Sequence, residues 1–395
     1  MKRDCPICSG SAVKRLYQQT FSQMSGGFPI RGYDVVVCEA CGFGYADGTP
    51  DQKQMDSYYK DLSKYENKHQ AGEVSQAGLE NYQKIVDGLS TFLPDKTVRI
   101  ADIGCATGAL LSVFQRNGYR NLQGVDPSPS CARTAAELYR IPVLTSSLFD
   151  VKPFEQPFDV LVFSSVLEHV IDLGNALERM RNLLAPGGLI YIDVPDTVSF
   201  ATWISAPLQQ FSVEHVNFFS STSLSNLLRR HGCGPVAFWH ELRALGAIGD
   251  PALCGVFRKT DEPDLTTVRD HETEAGLRRY IQLSQKDDVT VRSRIDSLVS
   301  NKQSILVWGT GTQVQRLLAS TNFGNARIRA FVDSNANYQG KEFNGLPILA
   351  PSELHAYSEP IVICTRVFQE EIATQIREEL GLDNDIIKLF ATTAA

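Results

Sequence analysis

The sequence predicts an α/β fold of the doubly wound kind, and three observations carry that expectation. Val98-Arg-Ile-Ala-Asp-Ile-Gly-Cys-Ala-Thr-Gly108 reads as a buried strand, a glycine-lined turn and the start of a helix, with Gly124-Val-Asp126 as the next strand ending in an acid. The same grammar restarts at Ser304-Ile-Leu-Val-Trp-Gly-Thr-Gly-Thr312. Ahead of both stand two C-x-x-C pairs, Cys5-Pro-Ile-Cys8 and Cys38-Glu-Ala-Cys41, which mark a small module built on metal rather than on a large core. We therefore expect a metal-binding module over 1–50, a connector or lid over 51–95, a doubly wound domain over 96–260, a helical linker over 261–300 and a second α/β domain over 301–395.

Four thiolates from two knuckles make a closed tetrahedral zinc site of the structural kind, with Cys5, Cys8, Cys38 and Cys41 as ligands. Gly42 permits the tight turn beneath the second knuckle. A redox dithiol or four unlinked thiols are the alternatives. Residues 9–37 form a strand-rich insertion whose last strand is Tyr33-Asp-Val-Val-Val37. Five basic residues face four acids up to residue 50, so there is no basic stripe for a nucleic acid.

The connector is polar and aromatic, with Tyr58-Tyr59 and Tyr65-Glu-Asn-Lys-His69, then a helix through Tyr82 and Leu89 that Pro94 closes. In the domain that follows, Gly104 and Gly108 let the backbone approach a ligand, since a side chain there would block it. Asp126 is placed to accept hydrogen bonds from ribose hydroxyls. The turn Asp102-x-Gly104-x-Ala106-x-Gly108 is not the phosphate-binding G-x-G-x-x-G. An acid inside it suits a cationic ligand better than a pyrophosphate. Phe158-Asp-Val-Leu-Val-Phe163 and Gly188-Leu-Ile-Tyr-Ile-Asp193 are further buried strands, separated by a helix ending near Leu183-Leu-Ala-Pro-Gly-Gly188, whose Pro-Gly-Gly is a stop and turn. Val236 to Leu242 and Ala252 to Phe257 close the sheet. One or two helices link this domain to the tail, where Ala330-Phe-Val-Asp333 again ends a strand in an acid and Gly309 and Gly311 open a helix toward a possible phosphate.

These pieces resemble motif I and the following acid of class I S-adenosylmethionine-dependent methyltransferases. The order of modules, with Glu214-His215-Val-Asn-Phe-Phe-Ser220 and the tail's Gly309-Thr-Gly311, Val332-Asp333, Gly340-Lys341 and Pro347-Ile348, is similar to the C-methyltransferases of deoxysugar pathways. The resemblance implies a Rossmann-like methyltransferase core between a small zinc-binding module and a second, C-terminal Rossmann-like domain. It implies S-adenosylmethionine as cofactor, held by Asp102, Gly104, Ala106, Gly108 and Asp126, with Leu148 and Phe149 against the adenine. His215 is the implied base that takes the proton beside a ketone, Glu214 its orienting neighbour and His169 a second active-site histidine, joined by Tyr58, Tyr59 or Tyr65. Two departures stand out. Ser212 takes a position usually held by tyrosine, and Gln313-Val-Gln315 replaces a run of small residues, both where substrate would lie.

The function expected from this is C-methylation of a nucleotide-linked keto-deoxysugar through a base-generated enolate, with the nucleotide between core and tail. The alternative is O- or N-methylation of a sugar or other small metabolite. A nucleic-acid-binding scaffold with a vestigial core is disfavoured by a net charge of −7. No apolar run approaches the ~18 residues that span a bilayer, and the N-terminus carries no secretory pattern. Nine cysteines without one point to a reducing cytoplasm.

Overall fold

The computed structural model describes residues 2–23, 30–61, 74–93, 95–245 and 248–391. Tyr65, the stretch to His69 and Pro94 lie outside the described residues. The chain opens with β1 (Val13–Thr20), β2 (Gly32–Cys38) and β3 (Gly44–Asp47), then α1 (Gln52–Asp61) and α2 (Gln76–Ser90). The central segment runs β4 (Arg99–Ile103), α3 (Ala109–Arg116), β5 (Asn121–Asp126), α4 (Pro129–Tyr139), β6 (Val143–Thr145), β7 (Phe158–Ser164), α5 (Leu173–Leu183) and β8 (Leu184–Pro195). After it come β9 (Asn217–Phe218), α6 (Ser221–Arg230), β10 (Cys233–Leu245), β11 (Ile248–Lys259) and the long helix α7 (Glu272–Asn301). The tail contributes β12 (Ser304–Trp308), α8 (Thr312–Ser320), β13 (Arg327–Val332), β14 (Glu342–Phe343), β15 (Leu346–Leu349), β16 (Ile361–Ile363), α9 (Gln369–Thr374) and β17 (Ile386–Lys388).

Three sheets result. The central one has the order β10-β11-β8-β7-β4-β5-β6, parallel from β6 through β8, with β11 antiparallel to both neighbours. Its middle strands are buried on both faces, as a sheet covered by helices requires. The third sheet, β14-β15-β13-β12-β16-β17, is parallel except for β14. Its helices alternate with its strands as in the central sheet. Pro186-Gly187-Gly188, expected as a helix stop, lies inside β8. The pairing jumps there from Phe158↔Leu184 to Val160↔Leu189, so these residues form a bulge in the entry of the strand.

The N-terminal sheet, β1-β2-β3-β9, takes its last strand from residues 217–218. Expected as a unit of its own, the module instead shares one core with the central sheet, where Ile7, Phe43 and Tyr45 pack in a cluster with Leu161, Phe163, Phe219 and Leu224. Arg3, just ahead of the first knuckle, donates to the carbonyls of Ala46, Ile171 and Val216 and to Asn217 Oδ1, tying module, core and β9 together. Gly42 has φ +84°, and a Cβ there would lie 2.0 Å from the Asp270 carbonyl, so its glycine serves a close backbone approach from the linker.

The linker is a single helix. At 30 residues, α7 is about 45 Å long. Its first half packs Leu277, Tyr280 and Ile281 against the N-terminal sheet and Phe211, and its second half places Val291 and Ile295 in the tail's core. Between them Asp288 pairs with Arg316 of α8, a fully buried guanidinium that donates to both carboxylate oxygens at 2.8 and 3.2 Å and to Gln313 Oε1. Gln313 Nε2 in turn donates to the Pro207 carbonyl, and the Gln315 carbonyl accepts from the Ser22 amide. Gln313 and Gln315, expected beside substrate, are therefore the residues that fasten the tail to the rest of the protein. Among the described residues no helix is long and apolar enough to cross a membrane.

Candidate active site

A cavity of about 390 Å³ opens at the carboxyl ends of β4, β5 and β7, the crevice where open α/β sheets place ligands. Asp102, Gly104, Ala106, Asp126, Leu148, Phe149 and His169 line it. The turn after β4 is held by the acid that ends β5. Ala106 adopts a left-handed φ of +47°, and its amide donates to Asp126 Oδ2 at 2.9 Å, while the Ser128 amide donates to Oδ1. Asp126 thus closes the turn.

The glycines of the turn answer to packing. A Cβ on Gly104 would meet Val166 at 2.8 Å, and Gly108, the left-handed residue ahead of α3, faces Ala135 of α4 at 3.1 Å. Gly104 lines the cavity, but Gly108 is outside it. Positive φ and packing against Val166 and Ala135 thus require glycine at both positions, beside any approach of a ligand to the backbone.

Asp102 is buried, and burial, with Asp193 and Asp126 as like charges, pushes its carboxyl up to about 8. A carboxyl raised on folding holds a proton that the unfolded chain has released near pH 4, so stability declines as pH rises from about 4 to 8. Asp102→Asn is expected to remove that slope, at most about 1.4 kcal/mol per pH unit. Urea-unfolding midpoints of wild type and variant should diverge between pH 5 and 8. Parallel curves would refute the assignment.

On the far side of β7, a single turn over Leu167–His169 presents Glu168 and His169. His169 Nδ1 lies 3.1 Å from the Glu214 carbonyl and 3.1 Å from the Tyr59 hydroxyl. A carbonyl only accepts, so the proton is assigned to Nδ1 and Nε2 is the acceptor of this tautomer. Nε2 stands 3.7 Å from Glu168 Oε1, yet burial first, and then Asp193, hold the Glu168 carboxyl well above the usual range. The His215 ring lies edge-on to His169 at 5.0 Å, and the donor atoms of Glu168, His169 and His215 fall within 4.8 Å of one another.

The Glu214-His215 pair is positioned by its flanks. Ser212 Oγ accepts from the amides of Glu214 and His215, and the Tyr33 hydroxyl donates to the Ser212 carbonyl. The serine that replaces a tyrosine is a turn cap, so it belongs to the backbone and not to the cavity. Downstream, the Val216 amide donates to the Glu168 carbonyl and Asn217 Nδ2 to the carbonyls of Leu167 and Val170. Glu214 is buried, His215 is half-buried, and neither lines the cavity, which they border through His169. Of the candidate tyrosines, Tyr59 lines the cavity, whereas Tyr58 is buried in the core.

No sequence pattern marks Arg243. It projects from β10 into the cavity and donates to Asp193 Oδ1 of β8 at 2.6 Å. Burial alone would lower its pKa, but the charge and hydrogen bond of Asp193 outweigh burial and leave it above the ordinary value. Asn81 and Tyr82 of α2 also line the site. The Asn81 amide group bonds both the N–H and the C=O of Ala244, latching α2 onto β10.

The four N-terminal thiols converge without help from the cavity. Their sulfur atoms all lie within 4.8 Å, with Cys5–Cys41 and Cys8–Cys38 at 3.5 Å. Each knuckle folds on itself, the Ser9 amide donating to the Cys5 carbonyl and the Gly42 amide to the Cys38 carbonyl. A Cβ on Gly10 would press on Cys8 and Cys38 sulfur at 3.3 and 3.4 Å. The arrangement is compatible with zinc.

Residues 75–237 match the family described as a methyltransferase domain, and 301–388 match one described as C2185-like, N-terminal. The C-methyltransferase NovU of Streptomyces niveus is 24% identical over 343 residues, 83% of this chain and 79% of that protein. The protein is an S-adenosylmethionine-dependent methyltransferase. A ubiquinone biosynthesis O-methyltransferase of Bradyrhizobium diazoefficiens is 29% identical to the methyltransferase over 151 residues, 37% of this chain, which spans just over half (56%) of that relative. Among solved structures, the Burkholderia thailandensis 1,6-didemethyltoxoflavin-N1-methyltransferase covers 56% of the methyltransferase chain and 97% of its own, at 20% identity and a TM-score of 0.41.

Proposed function

We propose that this methyltransferase places the methyl group on a carbon beside the ketone of a nucleotide-linked keto-deoxysugar. The observation that carries the reading is the histidine pair, with His215 at 5.0 Å from His169 and two residues ahead of β9, the strand that joins the N-terminal sheet to the core. The likeness to the NovU C-methyltransferase, which extends through 83% of the chain and so beyond the donor-binding domain, supports it. Bound S-adenosylmethionine supplies an electrophilic methyl group on a sulfonium. Asp126 holds its ribose, Leu148 and Phe149 its adenine, and Asp102, Gly104, Ala106 and Gly108 shape the turn beside its amino-acid arm. His215 takes the proton from the carbon acid, with Glu214 orienting it. Tyr59, beside His169, holds the developing enolate oxygen. Cys5, Cys8, Cys38 and Cys41 bind structural zinc. The tail is Rossmann-like, and its turn at Gly309 repeats the device of the core: the Thr310 amide and hydroxyl both donate to Asp333 Oδ2.

The test incubates the purified protein in deuterated water with nucleotide-linked 4-keto sugars. Expected are exchange of the proton beside the ketone without methyl donor, and a carbon-linked methyl product with it. Transfer to oxygen or nitrogen without exchange would reject this reading. It would favour O- or N-methylation of a sugar or small metabolite, the reading that the missing tyrosine at Ser212 keeps open.

A further inference from the structure

We propose that Arg243 is the receptor for the α-carboxylate of S-adenosylmethionine, so that the part of β10 beyond the matched methyltransferase domain reads the amino-acid end of the cofactor. The inference rests on the cofactor occupying the cavity described above. Sign is the first argument. Asp56 and Asp126 line the cavity with acid beside the protonated Asp102, and Arg243 is its sole Lys or Arg among the described residues. The cofactor carries two cationic groups, the sulfonium and the ammonium, and one anion, the carboxylate. A fixed cation in a crevice otherwise acidic has one complementary group to meet.

Order along the sheet is the second argument. The adenine and ribose positions, Leu148, Phe149 and Asp126, lie at β6 and β5, and the turn that flanks the sulfur follows β4. Asp193, which anchors Arg243, belongs to β8 on the other side of β7. The amino-acid arm, leaving the ribose and crossing β4, runs toward that side. The helix that closes this end is α2, whose Asn81 and Tyr82 line the cavity and whose clasp grips Ala244, the neighbour of Arg243.

Unused hydrogen-bonding capacity is the third. The guanidinium has five donors. Nη1 engages Asp193, Nη2 makes only a long contact to the Tyr191 hydroxyl at 3.4 Å and one to Cys254 sulfur at 3.7 Å, and the buried Nε makes no hydrogen bond, its nearest acid being Glu241 Oε2 at 3.7 Å. Asp193 holds the fork in place through Nη1, which leaves the remaining donors for a carboxylate.

Calorimetry with two ligands tests this: S-adenosylhomocysteine and its decarboxylated analogue, which keeps the amine and lacks the carboxylate. Wild type is expected to bind the first about 10–100-fold more tightly. Arg243→Gln is expected to lose that preference, weakening S-adenosylhomocysteine by the same factor and leaving the analogue within about 2-fold. Because the single change strands Asp193 in the interior, the double variant Arg243→Gln with Asp193→Asn serves as the folded reference, and the same loss of preference is expected. Equal weakening of both ligands, or a preference that survives in the double variant, overturns the proposal. Wild type that binds neither ligand would instead reject the cofactor's place in the cavity.

Discussion

Replacing His215 with asparagine is expected to lower kcat by about 10²–10⁴-fold, the range a general base contributes, while leaving affinity for S-adenosylhomocysteine within about 2-fold. The separation follows from geometry. His215 borders the cavity through His169 but is not among its lining residues, so cofactor binding does not depend on it. Proton exchange beside the ketone should vanish with activity, because both need the same base. His169→Asn is a smaller lesion, about 10-fold, since it removes an imidazole fixed by the Glu214 carbonyl and Tyr59. If His215→Asn retained exchange at the wild-type rate, the assignment of the base would be lost.

Cys8→Ser should abolish stoichiometric zinc and lower the Tm by about 10 °C or more, as metal sites of this kind contribute folding free energy directly. The effect should reach the chemistry. β3 pairs with β9 two residues beyond His215, and Arg3, two residues before Cys5, donates to the Val216 carbonyl. Slackening the knuckles therefore frees the backbone that carries the base. Loss of kcat with retained S-adenosylhomocysteine affinity is expected, measured on the same preparation as its metal content. A Cys8→Ser protein with full activity and unchanged melting would show that the thiols hold no structural metal.

What was legible in the sequence was local. The turn after β4, the acid ending β5 and the paired cysteines are contiguous patterns in which residue type and spacing carry the geometry. What was hidden depends on residues far apart in the chain. β9 is a two-residue strand, too short for any periodicity to mark, and only its partner β3 makes it one. Arg243 sits in a strand readable as a sheet edge, with nothing local to say that its side chain turns toward a crevice built from β4, β5 and β7. The place of Gln313 at a helix start says nothing of its role, which is set by Pro207, about a hundred residues earlier. The packing that also demands glycine in the turn comes from Val166 and Ala135, which lie in later segments.

The strained Ala106 backbone, locked by Asp126, has a thermodynamic corollary. Its unfavourable dihedral is settled when the chain folds, so the incoming nucleoside encounters a preorganised contour and forfeits little of the protein's configurational freedom on association. A glycine at this position would adopt the same contour without strain but would also relax away from it, shifting the thermodynamic signature of association toward a larger entropic penalty.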